Sequence, residues 1–291
     1  VRILVLGATG MLGSAVFHTF NESDQFEVYG TIRNRRAKEY FPSSTHSHFL
    51  TDVDVLDVDA LFQAFEKARP DLVINCIGLI KQHDTANDPL VALPINSMFP
   101  HRLAKFCALA NARLIHVSTD CVFSGRKGLY NESDPSDAED LYGKSKFIGE
   151  LADLKHAITI RTSIIGHEIN SHHALVDWFL SQEKAVKGYA KAIFSGLPTF
   201  ELARVMRDYI LPRPDLHGLY HVAAKPINKH DLLALVSEIY NKKINIIADE
   251  QVVIDRSLNA ARFEAATGYR APSWPELIAL MHQSRKLYGV N

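Results

Sequence analysis

Short apolar runs alternate with stretches of helical spacing through the first half of the chain. The run over residues 3–6 is ended by Gly7, and a helical pattern follows from Met11 to about Phe20. Further strand candidates are residues 26–32 and a weak one at Phe49 and Leu50. In the stretch 60–68, Leu61, Phe62 and Phe65 share one helical face. Pro70 punctuates the chain before a strand candidate over 71–75, and 100–110 then reads as helix. Strand 113–118, helix 142 to about 154 and strand 158–161 continue the pattern. Strands alternating with helices of ten or more residues predict βαβ units and a doubly wound parallel sheet of the α/β class. Beyond about residue 165 the alternation becomes irregular. Helices are expected over 178–186, 201–211 and 229–240, joined by segments holding Pro198, Pro212, Pro214 and Pro226.

Composition narrows the class. The chain has 291 residues, 47% hydrophobic and 22% charged, with a formal net charge of −1, as an ordinary folded protein does. Near-neutrality speaks against a nucleic-acid partner, which selects a basic excess. Three cysteines are too few and too scattered for a disulfide framework or a zinc cage. Every apolar run falls far short of the roughly 18 residues of a membrane span. No leader precedes the first strand, so the expectation is a cytoplasmic protein without a membrane partner.

The chemistry begins at the first turn. Gly7, Ala8, Thr9, Gly10, Met11, Leu12 and Gly13 follow a strand and open a helix. Gly7 permits the turn, Gly10 lets backbone approach a pyrophosphate, and Gly13 lets the helix sit close to the sheet. The helix N-terminus supplies free N–H groups and the positive end of the dipole. At the end of the second strand, Arg33 offers a donor fork to a ribose 2′-phosphate where an acid would repel one, which favours NADPH over NADH. Arg35 and Arg36 reinforce the positive charge.

Two further motifs complete a constellation. Tyr142 and Lys146 stand four residues apart at a helix start, on one face, so an ammonium can approach a phenol and lower its pKa. The strand before them ends in the hydroxyls of Ser118 and Thr119, followed by Asp120. A hydroxyl there can donate to a substrate carbonyl oxygen. Gly143 and Lys144 resemble a phosphate-loop tail, but Ala138 stands where that loop needs glycine, which excludes it.

The G-x-x-G-x-x-G spacing resembles the extended branch of the short-chain dehydrogenase/reductase superfamily, which acts on nucleotide sugars. The Ser-Thr-Asp-x-Val-Phe string at 118–123, the Tyr-Gly-Lys-Ser-Lys string at 142–146 and Arg161-Thr162-Ser163 resemble the dTDP-4-dehydrorhamnose reductase family over nearly the whole chain. That resemblance implies a Rossmann fold, with residues 1–165 binding NADP. Residues 166–291 would mainly hold substrate, with some segments returning to the core. It implies reduction of a 4-keto group on a nucleotide-activated deoxysugar, with Thr119, Tyr142 and Lys146 as the catalytic triad. Asp54 and Val55 match the position that meets adenine, with Asp52 a competitor. Cys76, Ile77 and Gly78 would pass beneath the cofactor, and Asn96 would brace that strand.

On the substrate side the expected residues are Ser118, Asp120, Lys81, His83, Ile164 and Arg256. Here the chain departs from the family. Ile164 replaces a Trp after Arg-Thr-Ser, Cys121 replaces a Tyr, and only part of the Arg-containing motif survives around Arg256, which leaves the sugar open. Ala15 stands where some relatives carry a magnesium-binding Glu, so no metal is expected, and the adjacent pair His172 and His173 lacks a third ligand. An epimerase with retained NAD, or a non-catalytic NADP-binding regulatory subunit, are the competing readings. A homodimer is implied by the resemblance alone.

Overall fold

The computed structural model describes residues 1–79, 87–169 and 174–288. Its centre is a parallel sheet of seven strands. In chain order these are β1 (Arg2–Leu6), β2 (Glu27–Ile32), β3 (Phe49–Thr51), β4 (Leu72–Asn75), β5 (Arg113–Thr119), β6 (Ala157–Thr162) and a last strand, Gly218–His221. Across the sheet the order is Gly218–His221, β6, β5, β4, β1, β2, β3. The order reverses between β1 and β4, so a crevice opens there beyond the carboxyl ends of the strands. The two-residue period of a strand divides β1 between two cores. Ile3 and Val5 pack on one face, while Leu4 and Leu6 pack on the other, all without solvent exposure. Burial on both faces is why these strands read as unbroken apolar runs.

Helix α1 (Met11–Asn21) covers the first face with Leu12, Val16, Phe17 and Phe20. Helix α2 (Val58–Ala68) covers the other with Leu61, Ala64 and Phe65. Phe62, assigned to the same buried face from spacing, is 60% exposed. A longer helical run follows as α3 (Pro89–Ala92), a π-helical stretch Leu93–Met98 and α4 (Phe99–Leu109). The sequence pattern showed only its last part. The π-helical stretch carries buried Asn96 and Ser97, and such wide turns commonly mark functional sites.

Helix α5 (Leu141–Ile148) is shorter than its spacing predicts. It stops where Gly149 backs onto the Asn96 carbonyl, an approach that would place a Cβ only 2.0 Å from that oxygen. Past β6 the chain builds small sheets that the sequence did not reveal. Val186–Tyr189 pairs with Ile246–Asp249, and Ala192–Phe194 lies between Ile227–Asn228 and Ile254–Asp255. The expected helix over 178–186 is displaced to Leu175–Ser181, because Val186 and Gly188 turn inward as strand residues. Strands of two to four residues give too few alternations to register as a period.

Candidate active site

The turn after β1 is built by close approach. Gly7 takes a left-handed φ of 79°, and a Cβ on Gly13 would sit 2.0 Å from the Gly7 carbonyl oxygen. Any side chain at Gly13 would therefore push α1 off the sheet. Thr31 on β2 accepts the Gly7 N–H at 3.1 Å, and Gly10 donates back to Gly7 at 3.0 Å. Gly10 caps α1 with no side chain, and the first helical turn holds no acid. The first-turn N–H groups and the dipole therefore remain available to an anion beside Thr9, Met11 and Leu12.

At the end of β2, Arg35 pairs with Asp52 at 3.1 Å while Arg33 stands exposed. Asp54 closes a local turn by accepting the Leu56 N–H at 2.9 Å, next to half-buried Val55. Asp52 is thereby committed to Arg35 and to the Thr51 hydroxyl.

The stretch after β4 forms the next wall. A Cβ on Gly7 would meet the Ile77 side chain at 2.8 Å, and one on Gly78 would lie 3.6 Å from both Lys146 Nζ and Asn96 Oδ1. Cys76, Ile77 and Gly78 thus run from the glycine turn to the lysine of α5. Asn96 holds their far end, accepting the Leu79 N–H at 2.8 Å and donating to its carbonyl at 3.0 Å. The same Asn96 amide donates to the Ser145 hydroxyl at 3.1 Å, so the π-helical stretch ties this wall to α5. These features fit a dinucleotide: an anion site at a helix start, a backbone wall beyond it and an exposed Arg beside the turn.

Helix α5 carries Tyr142 and Lys146. Asp140 starts it by accepting the Gly143 N–H at 2.8 Å. A Cβ on Gly143 would fall 2.2 Å from the Cys121 carbonyl oxygen. That contact lets the helix start lie against the end of β5, where Thr119 hydrogen-bonds the Tyr142 phenol. Lys146 is buried, and its Nζ donates to the Val117 carbonyl at 2.7 Å. Desolvation pulls its pKa from 10.5 to about 8 against the attraction of Glu150.

The phenol departs from expectation. Burial pushes its pKa well above the ordinary value; the carboxylates of Asp120 and Asp140 add to the rise, and the Thr119 hydrogen bond opposes it. Lys146 was expected to lower it, but its ammonium is turned to a backbone carbonyl.

The proposed substrate residues separate. Asp120 is buried beside Thr119, whose hydroxyl lies 3.2 Å away, and burial raises its pKa against the charges of Arg256 and Lys229. Arg256 reaches the same place, donating to the Phe123 carbonyl at 2.7 Å and approaching Cys121 Sγ at 3.7 Å. The segment bearing it is held by Asp255 N–H on the Gly125 carbonyl and by Leu129 N–H on Ser257. Ile164 is half-buried just past β6. Ser118 turns away from the crevice. It is buried, and its hydroxyl donates to Glu150 at 2.7 Å, so that group is committed within the protein. Lys81, His83, His172 and His173 lie outside the described residues. Among the described residues no group of three or more His, Cys, Asp or Glu is arranged for a metal.

Sequence reading missed several supports. Glu150 forms a two-pronged buried pair with Arg161, at 2.7 and 2.6 Å, beneath the end of β5. Arg161 stands in the Arg-Thr-Ser string, but nothing in the spacing joins it to Glu150. Thr31 and Lys229 carried no signal beyond their types, and Ser145 stood inside the 142–146 string with no role assigned to it.

Comparison with known proteins places the chain. A family model described as the RmlD substrate binding domain matches residues 1–284. Methionine adenosyltransferase 2 subunit beta of Danio rerio is 29% identical over 252 residues, covering 82% of this chain and 74% of that protein. A probable low-salt glycan biosynthesis reductase of Haloferax volcanii is 34% identical over 149 residues, 51% of this chain and 47% of its own length. Among solved structures, dTDP-4-dehydrorhamnose reductase of Bacillus anthracis in complex with NADP superposes with a TM-score of 0.79 at 20% identity, covering 97% of this chain and 99% of that one.

Proposed function

The chain belongs to the RmlD substrate binding domain family, and from that premise we propose that it is an NADPH-dependent reductase acting on the 4-keto group of a nucleotide-activated deoxysugar. The observation that carries the reading is the meeting of Thr119, Tyr142 and Lys146 beside a dinucleotide-type glycine turn.

When bound, the reduced nicotinamide supplies hydride to the carbonyl carbon. The protein's part is to orient the carbonyl and protonate its oxygen. Thr119 donates a hydrogen bond to that oxygen where negative charge develops. Tyr142 gives up the proton that turns the alkoxide into the alcohol. The phenol is protonated at neutral pH, as this direction requires, while burial makes it a weaker acid than a free phenol. Lys146, charged below about pH 8, sits beneath the Gly78 wall and places positive charge where the ribose would lie. Arg33 favours the 2′-phosphate. Asp120 and Arg256 flank the acid–base pair and face the sugar. Residues 1–165 serve the cofactor and 166–291 mainly the substrate, in a homodimer.

The test is loss of NADPH absorbance with a panel of nucleotide-linked 4-keto-6-deoxysugars, repeated with NADH. Oxidation with one sugar and not without it supports the reading. Tyr142→Phe should cut turnover by about 10²- to 10⁴-fold with NADPH binding intact; turnover like the wild type would sink the assignment. A second reading draws on the relatives' description as a subunit: this chain would bind cofactor and reduce nothing. Tight NADPH binding with no oxidation across the panel would favour it. Product re-formed without net NADPH loss would mark an epimerase.

A further inference from the structure

His116 stands in the middle of β5, fully buried, and none of the chemistry above uses it. Its Nδ1 lies 3.1 Å from Nδ2 of Asn75 on the neighbouring strand β4. At the other end of that amide, Asn75 Oδ1 accepts the Ile77 N–H at 3.1 Å. A backbone N–H can only donate, so the amide oxygen must face Ile77 and its NH₂ must face the imidazole. The NH₂ in turn can only donate, which makes Nδ1 the unprotonated, accepting nitrogen. The neutral ring therefore carries its proton on Nε2, an atom with no hydrogen-bond partner among the described residues.

A protonated ring would set N–H against N–H at Asn75. Burial, helped by the charges of Lys146 and His101, holds the imidazole well below its ordinary range and keeps it neutral.

The far end of this chain is the crevice wall. Ile77 abuts Gly7, and Gly78 abuts Lys146. Asn96 fixes the wall at Leu79, and Asn75 fixes it at Ile77. Only the Asn75 amide is oriented by a histidine.

We propose that His116 is a positioning residue for the cofactor crevice: its accepting Nδ1 sets the Asn75 amide, which sets the Ile77 N–H and with it the wall between the glycine turn and Lys146. The proposal rests on reading that crevice as a dinucleotide site.

Two near-isosteres separate this role from mere packing. His116→Asn puts an acceptor where Nδ1 lies. His116→Gln reaches toward the Nε2 position instead and leaves Asn75 without its acceptor. Both remove the ring, so loss of packing is common to them. The measurements are the NADPH dissociation constant by fluorescence titration, KM and kcat, and amide exchange of the peptide spanning 75–79. The Gln variant should bind NADPH about tenfold more weakly, through KM rather than kcat, with faster exchange in that peptide. The Asn variant should stay within about threefold of wild type. Equal NADPH affinity in the two variants, or unchanged exchange at 75–79 in the Gln variant, overturns the proposal.

In the wild-type protein, imidazole nitrogen shifts should report the Nε2-protonated tautomer, and an Nδ1-protonated ring would overturn it without any variant. Failure of the wild type to bind NADPH or NADH would instead refute the reading of the crevice. The exchange and tautomer measurements would still decide the hydrogen-bond chain.

Discussion

Lys146 should cost the protein stability, and replacing it should show how much. The residue is 5% exposed, and its pKa falls from 10.5 to about 8 on folding. At about 1.4 kcal/mol per pH unit, holding the charged form in the fold costs roughly 3 kcal/mol at pH 7. The sign follows from proton counting. The folded pKa is depressed, so between about pH 8 and 10.5 the unfolded chain binds more protons, and stability rises with pH across that window. Below about pH 8 the full penalty applies.

Lys146→Met keeps the length and removes the charge. It also gives up the bond to the Val117 carbonyl, worth on the order of 1–2 kcal/mol. In urea unfolding of the cofactor-free protein at pH 7, the Met variant should be more stable by about 1–3 kcal/mol and inactive. The gap should narrow by about 2 kcal/mol on going to pH 9.5. Taking the difference between the two proteins at each pH cancels the other titrating groups. A Met variant less stable at pH 7, or a gap that does not change up to pH 9.5, would refute the argument.

Other outcomes follow from close contacts. Gly13→Ala drives a methyl to 2.0 Å from the Gly7 carbonyl oxygen, so α1 must shift. Fluorescence titration should show NADPH binding weakened by at least about tenfold, at a stability cost of about 1–3 kcal/mol. Glu150→Gln leaves the Arg161 guanidinium buried without its counter-charge and should destabilise by about 3–5 kcal/mol in denaturant melts. A loss under about 1 kcal/mol would show that the pair is not desolvated as the geometry requires.

The alternation of apolar runs and helical spacing determined the class of fold, because strands buried on both faces take apolar residues throughout positions 3–6 and 72–74. The glycine turn was equally legible. Gly7 is demanded by its own left-handed φ and Gly13 by a backbone contact six residues away, and local demands leave local signatures. Tyr142, Lys146 and Thr119 could be named from their strings, through resemblance. Their electrostatics could not. Spacing placed an ammonium near a phenol and so implied a lowered phenol pKa. Only the packed structure shows Lys146 turned to Val117 and the phenol raised by burial.

Ser118 likewise carried the right atom in the right string, yet its direction is decided by Glu150, 32 residues on. The Glu150–Arg161 pair, the amide chain from His116 through Asn75 to Ile77, and the small sheets after β6 join residues distant in sequence or strands too short for a period. The physical reason is common to all of them. Periodicity and turn chemistry are properties of neighbouring residues, whereas burial, pKa and hydrogen-bond partnership belong to whatever the fold brings alongside.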